Sequence, residues 1–260
     1  MSLAIDELIE AWGSSPQPSI KITSYFPVYA NLFRHLRNQK CTFIETGILE
    51  GGSLFMWKKW LGPDARVIGI DLNPEAKKWE RFGFEIFIGD QSCQNFWSQT
   101  FSEIGHFDAF LDDGGHQSFQ QIVTLQQAIY HSKGDCVIAI EDTYASFMND
   151  FQSHGDRSFL EYSKDATDLL VGRSFDMYPG RFPENINLGE ITKFEKVFNI
   201  SFFNGIVAFH VIPELCTDSS IVRNKQSSPL KDFRYDGLNK ATISWPNILR
   251  EELVVIEGGK

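Results

Sequence analysis

The amino-acid sequence predicts an α/β fold built on a mostly parallel, doubly wound sheet. Five short apolar runs, rich in β-branched and aromatic residues, alternate with segments whose apolar residues have helical spacing. Strands that alternate with helices in this way form parallel sheets with right-handed crossovers. The predicted strands are 42–46, 66–71, 84–89, 107–111 and 136–140.

Helices and a terminal hairpin complete this prediction. After the five alternating strands, two β-rich runs are separated by Asn204 and Gly205, a dipeptide typical of tight hairpin turns. We therefore expect an antiparallel pair at the end of the sheet, after a loop at 172–190. The chain would divide into an N-terminal helical extension (1–38), an α/β domain (39–212) and a tail (213–260). Helices are predicted at 3–12, 25–38, 53–61, 74–81, 92–103, 116–132 and 159–170.

Composition excludes several classes of function. The 260 residues carry a formal net charge of −10, which argues against a protein that binds nucleic-acid backbones. No apolar run approaches the ~20 residues that span a bilayer, and the N-terminus does not resemble a signal peptide. The four cysteines are far apart and form no CxxC pair, so neither a disulfide framework nor a zinc site is expected. We expect a cytoplasmic protein with no membrane partner.

Acidic residues lie at or just after the carboxyl end of each of the five predicted strands. One such acid often caps the next helix, but five in succession indicate a site. Ligands of open α/β sheets bind in the crevice outside the carboxyl ends of the strands. The acids are Glu45, Asp71, Asp90, the pair Asp112 and Asp113, and the pair Glu141 and Asp142.

The turn after the first strand is rich in glycine. Gly47, Gly51 and Gly52 have the spacing G-x-x-x-G-G, whereas dinucleotide-binding proteins use G-x-G-x-x-G. Glu45 beside this turn would disfavour a pyrophosphate and suits a cationic amino-acid group instead. Asp71 is placed to accept hydrogen bonds from ribose hydroxyls, which fits both NAD and S-adenosylmethionine.

A second constellation lies after the fourth and fifth strands. If these strands are neighbours, their ends lie about 5 Å apart, and the carboxylates of Asp113, Glu141 and Asp142 converge. Carboxylate oxygens suit Mg²⁺, Mn²⁺ or Ca²⁺, and a cation would offset their mutual repulsion. Alternatively, these acids cap helices or pair with Arg or Lys. His116 follows closely and is the best-placed general base among the six histidines.

Taken together, these motifs resemble the S-adenosylmethionine-dependent sugar O-methyltransferases of macrolide biosynthesis, of the macrocin and mycinamicin type, and the related cephalosporin hydroxylase-like group. The resemblance covers roughly residues 20–212 and departs from the family pattern at Thr23, Thr46 and Gly115. The segments that carry it are Ser24–Tyr29, Glu45–Leu54, Gly69–Asp71, Gly89–Gln91, Asp112–His116, Ile140–Asp142 and Ile200–Val207.

The resemblance implies a Rossmann-like class I methyltransferase with a seven-stranded sheet, in which 39–212 is the catalytic domain. It implies that Asp113, Glu141 and Asp142 bind Mg²⁺ or Mn²⁺ and that His116 is the catalytic base. The implied cofactor-binding residues are Tyr25, Glu45, Gly47, Gly51, Ser53, Asp71, Asp90, Gln91 and Asp112.

The implied function is the metal-assisted transfer of a methyl group from S-adenosylmethionine to a hydroxyl of a sugar or glycosylated natural product, by a homo-oligomer. Two other enzymes are alternatives. An NAD-dependent oxidoreductase fits Asp71 but not the glycine spacing or Glu45. A metal-independent small-molecule methyltransferase would use the acids as helix caps. A non-catalytic binding module would leave the acids and His116 without a role.

Overall fold

The strands of this computed structural model form one mixed sheet of seven strands in the described residues, which are 2–151, 157–172 and 194–217. The strand order is β3-β2-β1-β4-β5-β7-β6, with the first five strands parallel. The strands are β1 (Thr42–Thr46), β2 (Arg66–Asp71), β3 (Glu85–Ile88), β4 (Ala109–Asp112), β5 (Cys136–Ile140), β6 (Val197–Phe202) and β7 (Val207–Val211).

Helices join the parallel strands, as the alternating pattern predicts. The segment expected as a helix at 25–38 ends its α-helix at Phe33 and continues as a 3₁₀ turn, Arg34–Leu36. The link from β2 to β3 is a 3₁₀ helix, Pro74–Phe82, whose first turn is capped by Asn73. The α-helices are α1 (Ser2–Gly13), α2 (Tyr25–Phe33), α3 (Gly52–Leu61), α4 (Gln94–Ile104), α5 (Ser118–His131), α6 (Phe159–Gly172) and α7 (Pro213–Thr217).

Two apolar layers cover the sheet, because alternate residues of a strand point to opposite faces. Phe43 of β1 belongs to the layer that includes α1, α2 and α3. Its neighbour Ile44 belongs to the opposite layer, which includes α4, α5 and α6. Trp57 anchors the first layer, with its ring 4.5 Å from that of Phe43. Trp97 anchors the second layer, 5.7 Å from the ring of Phe110.

Parallel register brings the acidic strand ends to one edge of the sheet. Thr46 pairs with Ile70 on one side and with Asp112 on the other. Asp112 pairs in turn with Ile140. The ladder continues one residue further, since the amide of Glu141 donates to the carbonyl of Asp112 at 3.0 Å. The acids after β1, β2, β4 and β5 therefore border the same crevice.

The terminal hairpin is confirmed, with β7 antiparallel to both β5 and β6. The predicted loop at 172–190 lies outside the described residues from 173 onward, as does the tail from 218 to 260. Among the described residues, no helix is both long and apolar enough to cross a bilayer. The prediction of a mostly parallel, doubly wound sheet with an antiparallel end is confirmed.

Candidate active site

A cavity of about 350 Å³ lies at the carboxyl ends of the parallel strands. Its walls are the turns after β1, β2, β3 and β4, which is where ligands of open α/β sheets bind. Six of the residues singled out in the sequence line this cavity. They are Gly47, Asp71, Asp90, Gln91, Asp113 and His116.

Gly47 allows the turn after β1 to touch the turn after β4. Its φ of +82° lies in the left-handed region that L side chains avoid. A Cβ at this position would lie 1.9 Å from the carbonyl oxygen of Asp113. The amide of Gly47 donates to the carbonyl of Ile70 at 2.8 Å, which ties the same turn to β2. Only glycine permits this approach, and it brings Asp113 to the cavity wall.

Asp71 holds the glycine-rich turn in place. Its Oδ2 accepts hydrogen bonds from the amides of Ile48 and Leu49, both at 3.1 Å. Its Oδ1 accepts from the amide of Asn73 at 2.8 Å. The carboxylate thus closes the loop after β1 onto the end of β2 while it lines the cavity.

Asp112 is buried and organises the turn after β4. Its Oδ1 accepts from the Gln91 side-chain amide at 3.1 Å and from the amide of Gly114 at 3.0 Å. The side-chain oxygen of Gln91, Oε1, accepts from the amide of Gly115 at 2.7 Å. Burial raises the pKa of Asp112 to about 6, although these hydrogen bonds and His116 oppose the change. Asp112 therefore lies behind the cavity wall, and Gln91, which Asp112 holds, is part of the wall.

A lysine lies among the acids. The buried Lys21 ammonium donates to Glu45 Oε1 at 3.4 Å and to Glu141 Oε1 at 3.1 Å, and it also donates to Asp113 Oδ2. Burial lowers the pKa of Lys21, but Asp113 and Glu141 outweigh burial and hold the pKa well above its usual value. The other oxygen of Glu45 accepts from the Ser53 hydroxyl at 2.6 Å. Lys21 thus supplies a positive charge to the site, and Asp113 and Glu141 pair with a lysine, as one of the alternatives from the sequence has it.

Two tyrosines of α2 hold the pair of acids after β5. The Tyr29 hydroxyl donates to Glu141 Oε2, and the Tyr25 hydroxyl donates to Asp142 Oδ1 at 2.7 Å. The two residues are four positions apart, so they lie on one face of the helix. Burial, with the neighbouring Glu141 carboxylate, raises the pKa of Tyr29 well above its usual value. Both tyrosines therefore remain hydrogen-bond donors at neutral pH.

Asp113, His116 and Asp142 form a group suited to a divalent cation. One ligand atom from each lies within 4.8 Å of the other two. His116 Nε2 is 3.5 Å from Asp142 Oδ2. His116 Nδ1 is buried and has no hydrogen-bond partner within the described ranges. The carboxylate oxygens of Asp113 and Asp142 fit Mg²⁺ or Mn²⁺. Glu141 lies beside this group, but Lys21 and Tyr29 engage its two oxygens.

The remaining predicted residues lie around the cavity. Tyr25 and Glu45 contact acids of the site, as described above, and Ser53 contacts Glu45. Gly51 packs against the indole of Trp79. The Asp90 carboxylate accepts from the amide of Ser92 at 2.8 Å and lines the cavity. The cofactor, metal and base roles of these residues stay predictions.

No model of a known protein family matches this chain. Among curated proteins, the mycinamicin VI 2''-O-methyltransferase of Micromonospora griseorubida is 26% identical over 171 residues, which are 61% of this chain and 42% of that protein. The demethylmacrocin O-methyltransferase of Streptomyces fradiae is 25% identical over 188 residues, which are 68% of this chain and 45% of that protein. The chain spans less than half the length of these curated relatives.

Solved structures decide the fold. The MycE methyltransferase from the mycinamycin biosynthetic pathway, in complex with Mg and SAH, superposes with a TM-score of 0.68 and 19% identity over 92% of this chain and 60% of that one. The fold is that of a class I methyltransferase. The resemblance to the macrocin and mycinamicin type of O-methyltransferase is also confirmed, since both curated relatives are of that type by name.

Within this methyltransferase fold, sequence reasoning missed two residues of the site. Lys21 lies in a stretch with no regular pattern, and no motif drew attention to it. Tyr29 belongs to the segment 24–29 that carries part of the resemblance, but it looked like an apolar helix residue. The four-residue spacing of Tyr25 and Tyr29 was the available signal, because it places two hydroxyls on one helix face.

Proposed function

We propose that this chain is an S-adenosylmethionine-dependent O-methyltransferase that uses a divalent metal ion and methylates a hydroxyl of a sugar or glycosylated small molecule. One observation carries the proposal. Asp71, Asp90 and Gln91, which could contact a nucleoside, line the cavity. Asp113 and His116 line the same cavity, and with Asp142 they form the metal-compatible group. A methyl donor and an activated hydroxyl need these two sites side by side.

The turns after β1, β2 and β3 would hold the cofactor. Asp71 would accept hydrogen bonds from the ribose hydroxyls, as acids at this position of doubly wound sheets do. Asp90 and Gln91 would contact the adenine. Gly47, which lacks a side chain, would let the donor approach the backbone. The mycinamicin and demethylmacrocin relatives support this choice of donor.

At the acceptor site, Asp113 and Asp142 would hold Mg²⁺ or Mn²⁺, with Glu141 as the third carboxylate. When bound, such an ion holds an alcohol oxygen and lowers its pKa. His116 would remove the proton, and Asp142, 3.5 Å from its Nε2, would orient the imidazole. The two sites would align the acceptor oxygen with the methyl group, and this alignment supplies much of the rate enhancement.

The alternatives receive less support from the same geometry. An NAD-dependent oxidoreductase needs a phosphate site at the glycine-rich turn, where Glu45 is buried within 3.4 Å of Lys21. A metal-independent methyltransferase would treat the acids as helix caps, but the side chains of Glu141 and Asp142 bind tyrosine hydroxyls instead.

Two variants test the proposal. Asp113→Ala should lose Mn²⁺ binding and metal-dependent methyl transfer to a panel of glycosides, yet bind S-adenosylhomocysteine as the wild type does. His116→Ala should lose turnover but keep most of its Mn²⁺ affinity, because it acts as the base. Glu103→Ala, a change at an exposed position of α4, is the matched control.

Calorimetry with S-adenosylhomocysteine, NAD and Mn²⁺, together with the rate of S-adenosylhomocysteine formation, measures these effects. Binding of NAD in place of S-adenosylhomocysteine would refute the cofactor assignment. Full activity in EDTA would refute the metal assignment and favour the metal-independent alternative.

A further inference from the structure

Lys21 occupies the position that a cation would take between the acids of the site. Its side chain is 2% exposed, and its ammonium contacts carboxylates from the ends of three neighbouring strands. An ammonium group has three donors, and Glu45, Asp113 and Glu141 each accept from Nζ. The site thus contains its own positive charge.

The segment that carries Lys21 is docked on the start of α3. The Ser15 hydroxyl donates to the carbonyl of Gly52 at 2.9 Å. The carbonyl oxygen of Pro18 fills the space where a side chain of Gly52 would lie. Residues 18–21, the glycine-rich turn and Asp113 line a small cavity of about 50 Å³. The segment that carries Lys21 is therefore anchored at Ser15 and Pro18, and the lysine side chain extends from this segment to the acids.

A metal ion held by the predicted ligands Asp113, Glu141 and Asp142 would compete with Lys21 for two of these carboxylates. Glu141 Oε1 and Asp113 Oδ2 both accept from Lys21, and the other oxygen of Glu141 accepts from Tyr29. A divalent ion bound by Asp113 and Glu141 would lie within a few ångströms of a buried ammonium, and like charges at that separation repel strongly. The two cations cannot share this pair of carboxylates.

We propose that Lys21 is an internal substitute for the divalent ion, which holds Asp113 and Glu141 in the metal-free protein and releases them when the ion binds. Lys21 therefore sets the metal affinity of the site. This inference rests on the metal-binding part of the proposed function.

The first test is the Mn²⁺ affinity of Lys21→Met, measured by calorimetry on the full chain with S-adenosylhomocysteine present. If Lys21 holds the acids in about nine molecules of ten, the apparent affinity of the wild type is reduced about tenfold. Lys21→Met should therefore bind Mn²⁺ about tenfold more tightly than the wild type. Lys59→Met removes a half-exposed lysine that pairs with Glu10, and it should bind Mn²⁺ as the wild type does.

Lys21→Met leaves two buried carboxylates, Glu45 and Glu141, without a cation. A second measurement on the wild type therefore keeps the test decisive if this variant does not fold. Lysines are acetylated with an N-hydroxysuccinimide ester, with and without Mn²⁺, and the peptides are quantified by mass spectrometry. Labelling of Lys21 should rise several-fold when Mn²⁺ binds, whereas labelling of Lys59 should not change.

The outcomes separate this inference from the proposed function. Equal Mn²⁺ affinity in the wild type and Lys21→Met, or bound Mn²⁺ with Lys21 still protected from acetylation, would overturn the inference and leave the metal site in place. If neither protein binds Mn²⁺, both the metal site and this inference fail.

Discussion

Removing the hydroxyl of Tyr29 tests how the acids of the site are held. Tyr29 is fully buried, and its hydroxyl donates to the carboxylate of Glu141, which is 2% exposed. Tyr29→Phe keeps the ring, including its edge-on contact with Trp57 at 5.3 Å, and removes one oxygen. The change therefore isolates a hydrogen bond and leaves the surrounding packing intact.

The cost follows from the burial of both partners. Deleting the donor to a buried acceptor costs about 1–3 kcal/mol, because water cannot replace the lost bond. Glu141 keeps its bond to Lys21, so we expect a loss of about 2 kcal/mol. Tyr25→Phe should cost less, about 0.5–1.5 kcal/mol, because Asp142 is 18% exposed and can be rehydrated.

Urea unfolding at pH 7 measures the loss, from the shift in midpoint at unchanged slope. Tyr130→Phe, at a position that is 74% exposed, is the control and should stay within about 0.5 kcal/mol of the wild type. A Tyr29→Phe variant as stable as this control would refute the reasoning, because the Glu141 carboxylate would then not depend on the hydroxyl.

Two further changes probe the turn after β1 and the edge of the sheet. Gly47→Ala should destabilise the protein by more than Gly83→Ala; both positions have positive φ, but only the first would place a Cβ against the backbone of Asp113. The left-handed conformation alone costs about 1–2 kcal/mol at either position. The additional loss of stability in Gly47→Ala, measured by urea unfolding, therefore reports the clash of its Cβ with Asp113, and equal losses in the two variants would contradict this clash. Arg66 forms two hydrogen bonds to Glu85 and lowers the pKa of that carboxyl. Because the pKa of Glu85 is lower in the folded state than in the unfolded state, its carboxylate stabilises the folded protein at pH values above the unfolded pKa. Glu85→Gln should therefore be less stable than the wild type at pH 7, by at most about 1 kcal/mol for an exposed pair. This difference should shrink as the pH falls from the unfolded pKa of about 4.3 through the lowered folded pKa, and a difference that does not depend on pH over the acid range would count against the pairing.

Much of the fold could be predicted because its signals are local. The runs at 42–46 and 136–140 are apolar over the length of a strand, and Asn204 with Gly205 specifies a tight turn. The right-handed crossovers of parallel strands, with the rule that ligands bind at the carboxyl ends of strands, then locate the site from the sequence alone. The acids could therefore be assigned to one crevice before their distances were known.

The sequence by itself thus determined the order of strands along the chain, the antiparallel end and the acids that border the crevice. Only the tertiary structure decided the partner of each acid. Lys21 and Glu141 are 120 residues apart, and Tyr29 and Glu141 are 112 apart. No local pattern encodes such pairs, because they arise when the segment before α2 and the helix itself pack across the end of the finished sheet.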